Sequence, residues 1–239
     1  MNKILIIAAH PDDDILGCGG LMSKYRNQIE FKVIFIAEGS SCRFDKKDIV
    51  AENTQKIIKN RNSCGVIALK SLGVKNYHFY NFPCGRLDQV PIIEINKIIE
   101  NEINKFKPDT VFTHSSDDTN NDHIIVHRAT QMATRPGART FVEKLYTYEI
   151  LSSTEWRFTK TFSPNYFESL SSALSSIFSN NSRISLTDAL SGASRDSLAQ
   201  VLGCSRSNAV ISSRRPNHIR IDVKRRDGVP IDAHVFDGP

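Results

Sequence analysis

The chain has 239 residues, 40% hydrophobic and 24% charged, with a formal net charge of +5 at pH 7. That balance makes a globular protein able to bury a core and excludes collagenous, fully disordered and coiled-coil classes; the mild, scattered charge gives no support to nucleic-acid binding. The longest apolar run near the start, from Ile4 to Ala9, is too short for a signal-peptide core or a membrane span, so a cytoplasmic protein is expected.

Up to about residue 166, runs rich in Val, Ile and Phe alternate with longer amphipathic stretches, the pattern of a parallel sheet covered by helices. A strand over 3–8 leads to a helix over 15–27. The strand over 31–36 leads to a long helix over 48–72, with apolar positions at Ile57, Ile58, Cys64, Ala68 and Leu72 and a stop at Gly73. Strands over 77–80 and 110–113 precede helices over 90–106 and 123–134, the latter closed by Arg135-Pro136, and a last strand covers 144–149. The fold class is therefore α/β, with function expected where the strands end on their carboxyl side.

Beyond residue 167 the composition changes. Fourteen Lys and eight Arg precede it, one Lys and eight Arg follow, and eleven serines fall within 169–197. A second small module, a serine-rich linker with an Arg-rich tail, and an ending altered by a change of reading frame all fit this break. A helix is conceivable over 188–202, while 212–227 is basic with little periodicity.

The densest chemistry follows the first strand, at His10-Pro11-Asp12-Asp13-Asp14. Pro11 fixes its own φ and pushes His10 toward an extended conformation, so one tight turn collects an imidazole and two or three carboxylates. Carboxylates so crowded repel unless a cation or solvent offsets them, and a histidine with a carboxylate three residues on suits zinc. The alternative is an acidic N-cap region for the next helix. Gly17-Cys18-Gly19-Gly20 predicts close packing of helix on sheet, since it is not G-x-G-x-x-G and the nearby aspartates would repel phosphate.

A second cluster, His114 to His123 and then His127, follows the fourth strand. Loops after neighbouring strands end at one sheet edge, so His123 can meet His10 and Asp13, two histidines and a carboxylate with a position left for water. His123 and His127 stand i, i+4 and could chelate a cation themselves; His127 and His78 each also fit a packed or surface role. Loops carrying Arg43 and Arg86 offer donors for a polyol or a phosphate-bearing sugar. Five cysteines (Cys18, Cys42, Cys64, Cys84, Cys204) without a CxxC pair predict isolated thiols.

The segments AAHPDDD and GCGG, Arg61 with SLGV, NFPCGRLD, DTNNDHIIVHRAT, ATRP and YEILSSTEW together resemble the zinc-dependent de-N-acetylases of the PIG-L/LmbE-like family, from Met1 to about Phe167. The resemblance implies a Rossmann-like, mostly parallel sheet with helices on both faces over residues 1–167, followed by an atypical Ser/Arg-rich segment over 168–239. It implies that His10, Asp13 and His123 hold one zinc ion per chain and that Asp12 is the general base. Arg43, Arg61, Arg86, Asn120 and Asp122 are the expected substrate-binding residues; Asp122 could alternatively orient an imidazole. Asn120 stands where some members place a histidine that stabilises the oxyanion, and an amide there can donate a hydrogen bond but carry no proton. Asp14 replaces a longer glutamate.

The expected reaction is hydrolytic removal of acetyl from an N-acetylglucosamine-type sugar conjugate, with Asp12 taking the proton of the attacking water and passing it to the leaving amine. The rivals are a non-catalytic sugar- or nucleotide-binding module on the same fold and an inactive member with an altered C-terminus. The expected partner is a small acetylated amino sugar, with neither nucleic acid nor a membrane span, and self-association into a homo-oligomer is left open.

Overall fold

Side chains along the first strand alternate between two apolar sets, and that alternation allows helices to cover both faces of the sheet. The computed structural model describes residues 1–138, 140–154, 156 and 162–166, with the backbone of three short strands within 209–231. Strands β1 (Lys3–Ala8), β2 (Glu30–Ala37), β3 (Asn76–Phe82), β4 (Thr110–His114) and β5 (Lys144–Tyr148) form one sheet in the order β3-β2-β1-β4-β5. Every pairing in it is parallel.

On one face, Leu5, Ile7, Ile34, Ile36 and Val111 pack on helices α3 (Ile92–Phe106) and α4 (Asn121–Thr134) through Ile95, Ile99, Ile103, Val126 and Ala129. On the other, Ile4, Ile6, Val33, Phe35 and Phe112 meet α1 (Asp13–Lys24) and α2 (Glu52–Ser71) through Leu21, Met22 and Leu69. The expected α/β fold is thus present, with element ends displaced by a few residues. Helix α1 begins at Asp13 rather than 15, which puts two carboxylates in its first turn. Helix α2 begins at Glu52 rather than 48 because Lys46–Asp48 closes its own 3-10 turn and Ala51 then takes an extended conformation. Gly73, at φ +78°, ends α2: its amide bonds to Lys70 O and that of Val74 to Leu69 O, satisfying carbonyls the helix leaves open.

Strand order reverses between β1 and β4, so the loops leaving these two strands part and open a crevice at the carboxyl edge. The chain divides into two units, Met1–Glu168 and Ser169–Pro239. Within the second, Ala209–Ser212, Arg220–Lys224 and Pro230–Ile231 pair antiparallel in that order, so strands form where the sequence shows little periodicity. The helix considered over 188–202 lies outside the described residues. No helix among the described residues is long and apolar enough to cross a membrane.

The close packing expected of the glycine cluster is found at Gly17. A Cβ there would stand 2.3 Å from Tyr148 Cδ2, and the ring cannot yield because its buried hydroxyl donates to Ile7 O at 2.9 Å. Gly17→Ala should therefore lower stability by about 1–3 kcal/mol through overpacking. Gly19→Ala, whose Cβ would meet only Ile15 at 3.4 Å, should cost less. Thermal denaturation of the two variants side by side checks this, and equal midpoints would refute it.

Candidate metal centre

Four loops converge at the carboxyl edge. The turn after β1 brings His10 and Asp13, and α4 brings His123 from beyond β4. The ring of His10 and the carboxylate of Asp13 are buried, as is His123. His10 Nδ1, Asp13 Oδ2 and His123 Nε2 stand 3.3 Å from one another along all three edges. Donors held at about 2.0–2.1 Å by a tetrahedral zinc ion lie about 3.3–3.4 Å apart, so the two nitrogens and one oxygen fit one face of such a site.

The far nitrogen of each ring is held by a carboxylate. His10 Nε2 lies 2.9 Å from Asp122 Oδ2 and His123 Nδ1 2.8 Å from Asp118 Oδ2. These contacts aim the remaining nitrogen of each imidazole at the shared point, as in other carboxylate–histidine–metal arrangements. The carboxylates are fixed in turn. Asp122 accepts from the Gly85 and Leu87 amides, and Asp118 from the Asn120 amide and the Ser153 hydroxyl. Asp118 carries no distinguishing sequence signal beyond lying in the acidic loop before His123.

Burial alone would lower the His10 pKa, but hydrogen bonds with Asp122 and Asp13 raise it well above the ordinary value. The same contest at His123, won by Asp118 and Asp13, raises it to about 9. Burial would raise Asp13, yet the surrounding imidazoles of His114, His10 and His123 hold it well below the usual carboxylate range. His114 differs: burial pushes it down to about 3. Its Nε2 accepts the Ala9 amide at 2.9 Å, so this neutral ring braces the end of β1. Burial, with the charges of Asp13 and Asp12, raises Asp14 well above the usual carboxylate range.

Asp12 occupies the N-cap position of α1 without capping it. Its carboxylate, 32% exposed, instead pairs with Arg61 Nη2 at 2.8 Å. Gly39 makes room for that guanidinium, since a Cβ there would lie 2.6 Å from Arg61 Nε. Arg61 thus sits on the expected base, and the acidic helix start is present in Asp12, Asp13 and Asp14, though Asp12 makes no side-chain cap bond.

Contacts within the protein place the other expected site residues. The Asp122 side chain is fully buried on His10 and two amides, the placement of a residue that orients an imidazole. Arg86 spends Nη1 and Nη2 on the carbonyls of Ser41, Cys84 and Phe44, which braces the loops after β2 and β3. Arg43 is exposed, with one long bond to Gly39 O at 3.4 Å. Asn120 caps α4, its Oδ1 accepting the Asp122 amide at 3.0 Å. His127 turns to the His114 carbonyl at 2.8 Å, so it forms no chelating pair with His123. Cys42 and Cys84 are free thiols, as expected, and a Cβ at Gly85 would stand 2.9 Å from Cys42 Cβ, so the loops that carry the two cysteines lie close together.

The family model described as PIG-L: GlcNAc-PI de-N-acetylase matches residues 5–134. No curated protein matches the chain. Among solved structures it is similar to the conserved protein TT1542 from Thermus thermophilus, at 21% identity over 75% of this chain and 76% of that one, with a TM-score of 0.54. It is similar to N,N′-diacetylchitobiose deacetylase from Pyrococcus horikoshii, at 18% identity, 78% and 72% coverage and a TM-score of 0.54. A third is the 4-carboxy-2-hydroxymuconate hydratase GalB from Pseudomonas putida, at 18% identity, 85% and 83% coverage and a TM-score of 0.56. At these identities the likeness is one of fold.

Two outcomes are expected of the centre. Asp118→Asn should weaken divalent-metal affinity by about 10–100-fold, as loss of an orienting carboxylate does; chelator competition measures it, and unchanged affinity would show that Asp118 does not orient His123. In the metal-free protein the raised His123 contributes stability that is fully present below its ordinary value of 6.5 and lost as pH rises through about 9. Melting temperature in chelator should therefore fall across that window, and a flat profile would contradict the assignment.

Proposed function

Because the chain belongs to the PIG-L family, whose model is described as a GlcNAc-PI de-N-acetylase, we propose that it is a metal-dependent hydrolase removing acetyl from an N-acetylglucosamine-type sugar conjugate. One observation carries the reading: the even triangle of His10, Asp13 and His123, each ring steered by its own carboxylate. A sugar-binding module has no need of such a set, and a hydratase on the same fold makes the site, not the architecture, the basis of the argument.

His10, Asp13 and His123 would hold one zinc ion. Bound there, the ion supplies Lewis-acid polarisation of the acetyl carbonyl and acidifies water toward neutral pH. The protein supplies the rest. Asp12 is the accessible carboxylate of the turn, Asp13 being turned to the imidazoles and Asp14 buried. It takes the proton of the attacking water and returns it to the leaving amine. Arg61 fixes the Asp12 carboxylate at 2.8 Å, so the base is positioned before substrate arrives. Asn120 can donate its amide to the developing oxyanion but cannot protonate the amine, which leaves that step to Asp12. Arg43, on the exposed loop after β2, is the remaining candidate for contact with the sugar.

Asp12→Asn should keep the metal and lower turnover by about 10²–10⁴, the range for loss of a general base. Amine release from a panel of N-acetylglucosamine derivatives, with metal analysis of the same samples, tests both the variant and the proposal. Wild-type protein that carries metal yet frees no amine from any of them would overturn the deacetylase assignment.

A further inference from the structure

The loops after β2 and β3 are tied to one carboxylate. Buried Glu38 accepts the amides of Ser40 at 2.6 Å, Ser41 at 3.0 Å and Cys84 at 2.8 Å, together with the Ser41 hydroxyl. This clamp sets two cysteines side by side. A Cβ at Gly85 would stand 2.9 Å from Cys42 Cβ, at a φ of +71° that also favours glycine, so Cys42 packs on the residue next to Cys84. Donor atoms of His10, Cys84 and Asp122 all lie within 4.8 Å of one another, and all three residues are buried.

We propose that Cys84 Sγ, the Asp122 carboxylate and His10 Nε2 form a second cation site, with Cys42 as the fourth donor, for a thiophilic divalent ion such as Zn²⁺ or Cd²⁺. The imidazole of His10 serves both sites. Nδ1 faces Asp13 and His123, at 3.3 Å from each, while Nε2 faces Asp122 at 2.9 Å. Thiolate, imidazole and carboxylate together favour zinc and cadmium over magnesium or calcium. No oxidation is involved: the cation replaces the proton between His10 Nε2 and Asp122 and the proton of the Cys84 thiol, and both pass to solvent. Its arrival takes from His10 the carboxylate that orients it, so an excess of such ions opposes the first site. Exposed Cys42 gives the entering ion its first donor. The proposal does not depend on the deacetylase assignment, because its readout is metal binding and not turnover.

Titration of the full chain with Cd²⁺ under a non-chelating reductant tests it. The first site holds no sulfur, so a thiolate-to-cadmium charge-transfer band in the ultraviolet reports sulfur ligation, and its loss in Cys84→Ser assigns it to the second site. Wild type should take up two cadmium ions per chain, the band growing with the second. Cys84→Ser should lose the band and keep one ion, Cys42→Ser should bind the second ion more weakly, and Cys64→Ser should leave the band intact. Uptake of a single ion without a band, or a band that survives in Cys84→Ser, would overturn the proposal. Should Cys84→Ser fail to fold, X-ray absorption at the cadmium edge of the two-ion wild type decides: sulfur in the coordination shell supports the site and its absence refutes it.

Discussion

Buried charge at the carboxyl edge of the sheet governs this structure. Asp13, Asp118 and Asp122 are almost completely shielded from solvent, and an ionised carboxylate out of water is costly unless it is paired and hydrogen-bonded. Each is. Asp13 Oδ2 accepts the His10 amide at 2.8 Å and lies against the imidazoles; Asp118 and Asp122 divide their oxygens between an imidazole and the backbone of a loop. The loops are thus held in place by the same carboxylates that hold the rings, so the centre and its frame form one network. Without metal, the hydrogen bonds that these carboxylates make with His10 and His123 raise both imidazole pKa values, in favour of the protonated rings.

The sheet and its helices were largely legible in the sequence, because a buried parallel strand must be apolar on both sides and its covering helices must show one apolar stripe. His10, Asp13 and His123 were legible for a related reason: strand ends place them on one edge, and proline tightens the first turn. What could not be read was the aim of individual side chains. Nothing in the spelling of the chain says that Asp118 is the residue of its loop that orients His123, that Arg86 turns back onto three carbonyls, or that Arg61 reaches Asp12 from the middle of a long helix. These depend on tertiary distances of an ångström or less, whereas periodicity resolves only faces. The approach of Cys42 to the turn at Cys84 and Gly85 was hidden likewise, since the two loops are far apart in sequence and meet through Glu38 and Arg86.

The turn after β1 also shows how three successive aspartates can behave differently. Asp12 remains partly in water and meets a guanidinium, Asp13 is surrounded by imidazoles, and Asp14 is buried in the first turn of α1. Identical side chains thereby become a carboxylate paired at the surface, a buried carboxylate whose pKa imidazoles lower and a buried carboxyl whose pKa burial raises. Helix geometry separates them, because successive residues at the start of α1 point in directions about 100° apart.

Ser153, which donates to Asp118 at 2.9 Å, and Tyr148, which closes over Gly17 and reaches Ile7, come from the last strand of the parallel sheet and the turn beyond it. During synthesis His10 and Asp13 leave the ribosome long before either. A nascent chain that has extended through β4 and α4 already carries all three candidate ligands, yet lacks the hydroxyl that steadies Asp118 and the ring that seats α1 on β1. Translation therefore delays the finished centre until the fifth strand has joined the sheet, and a cation met earlier by the growing chain would find its donors present but not yet held in register.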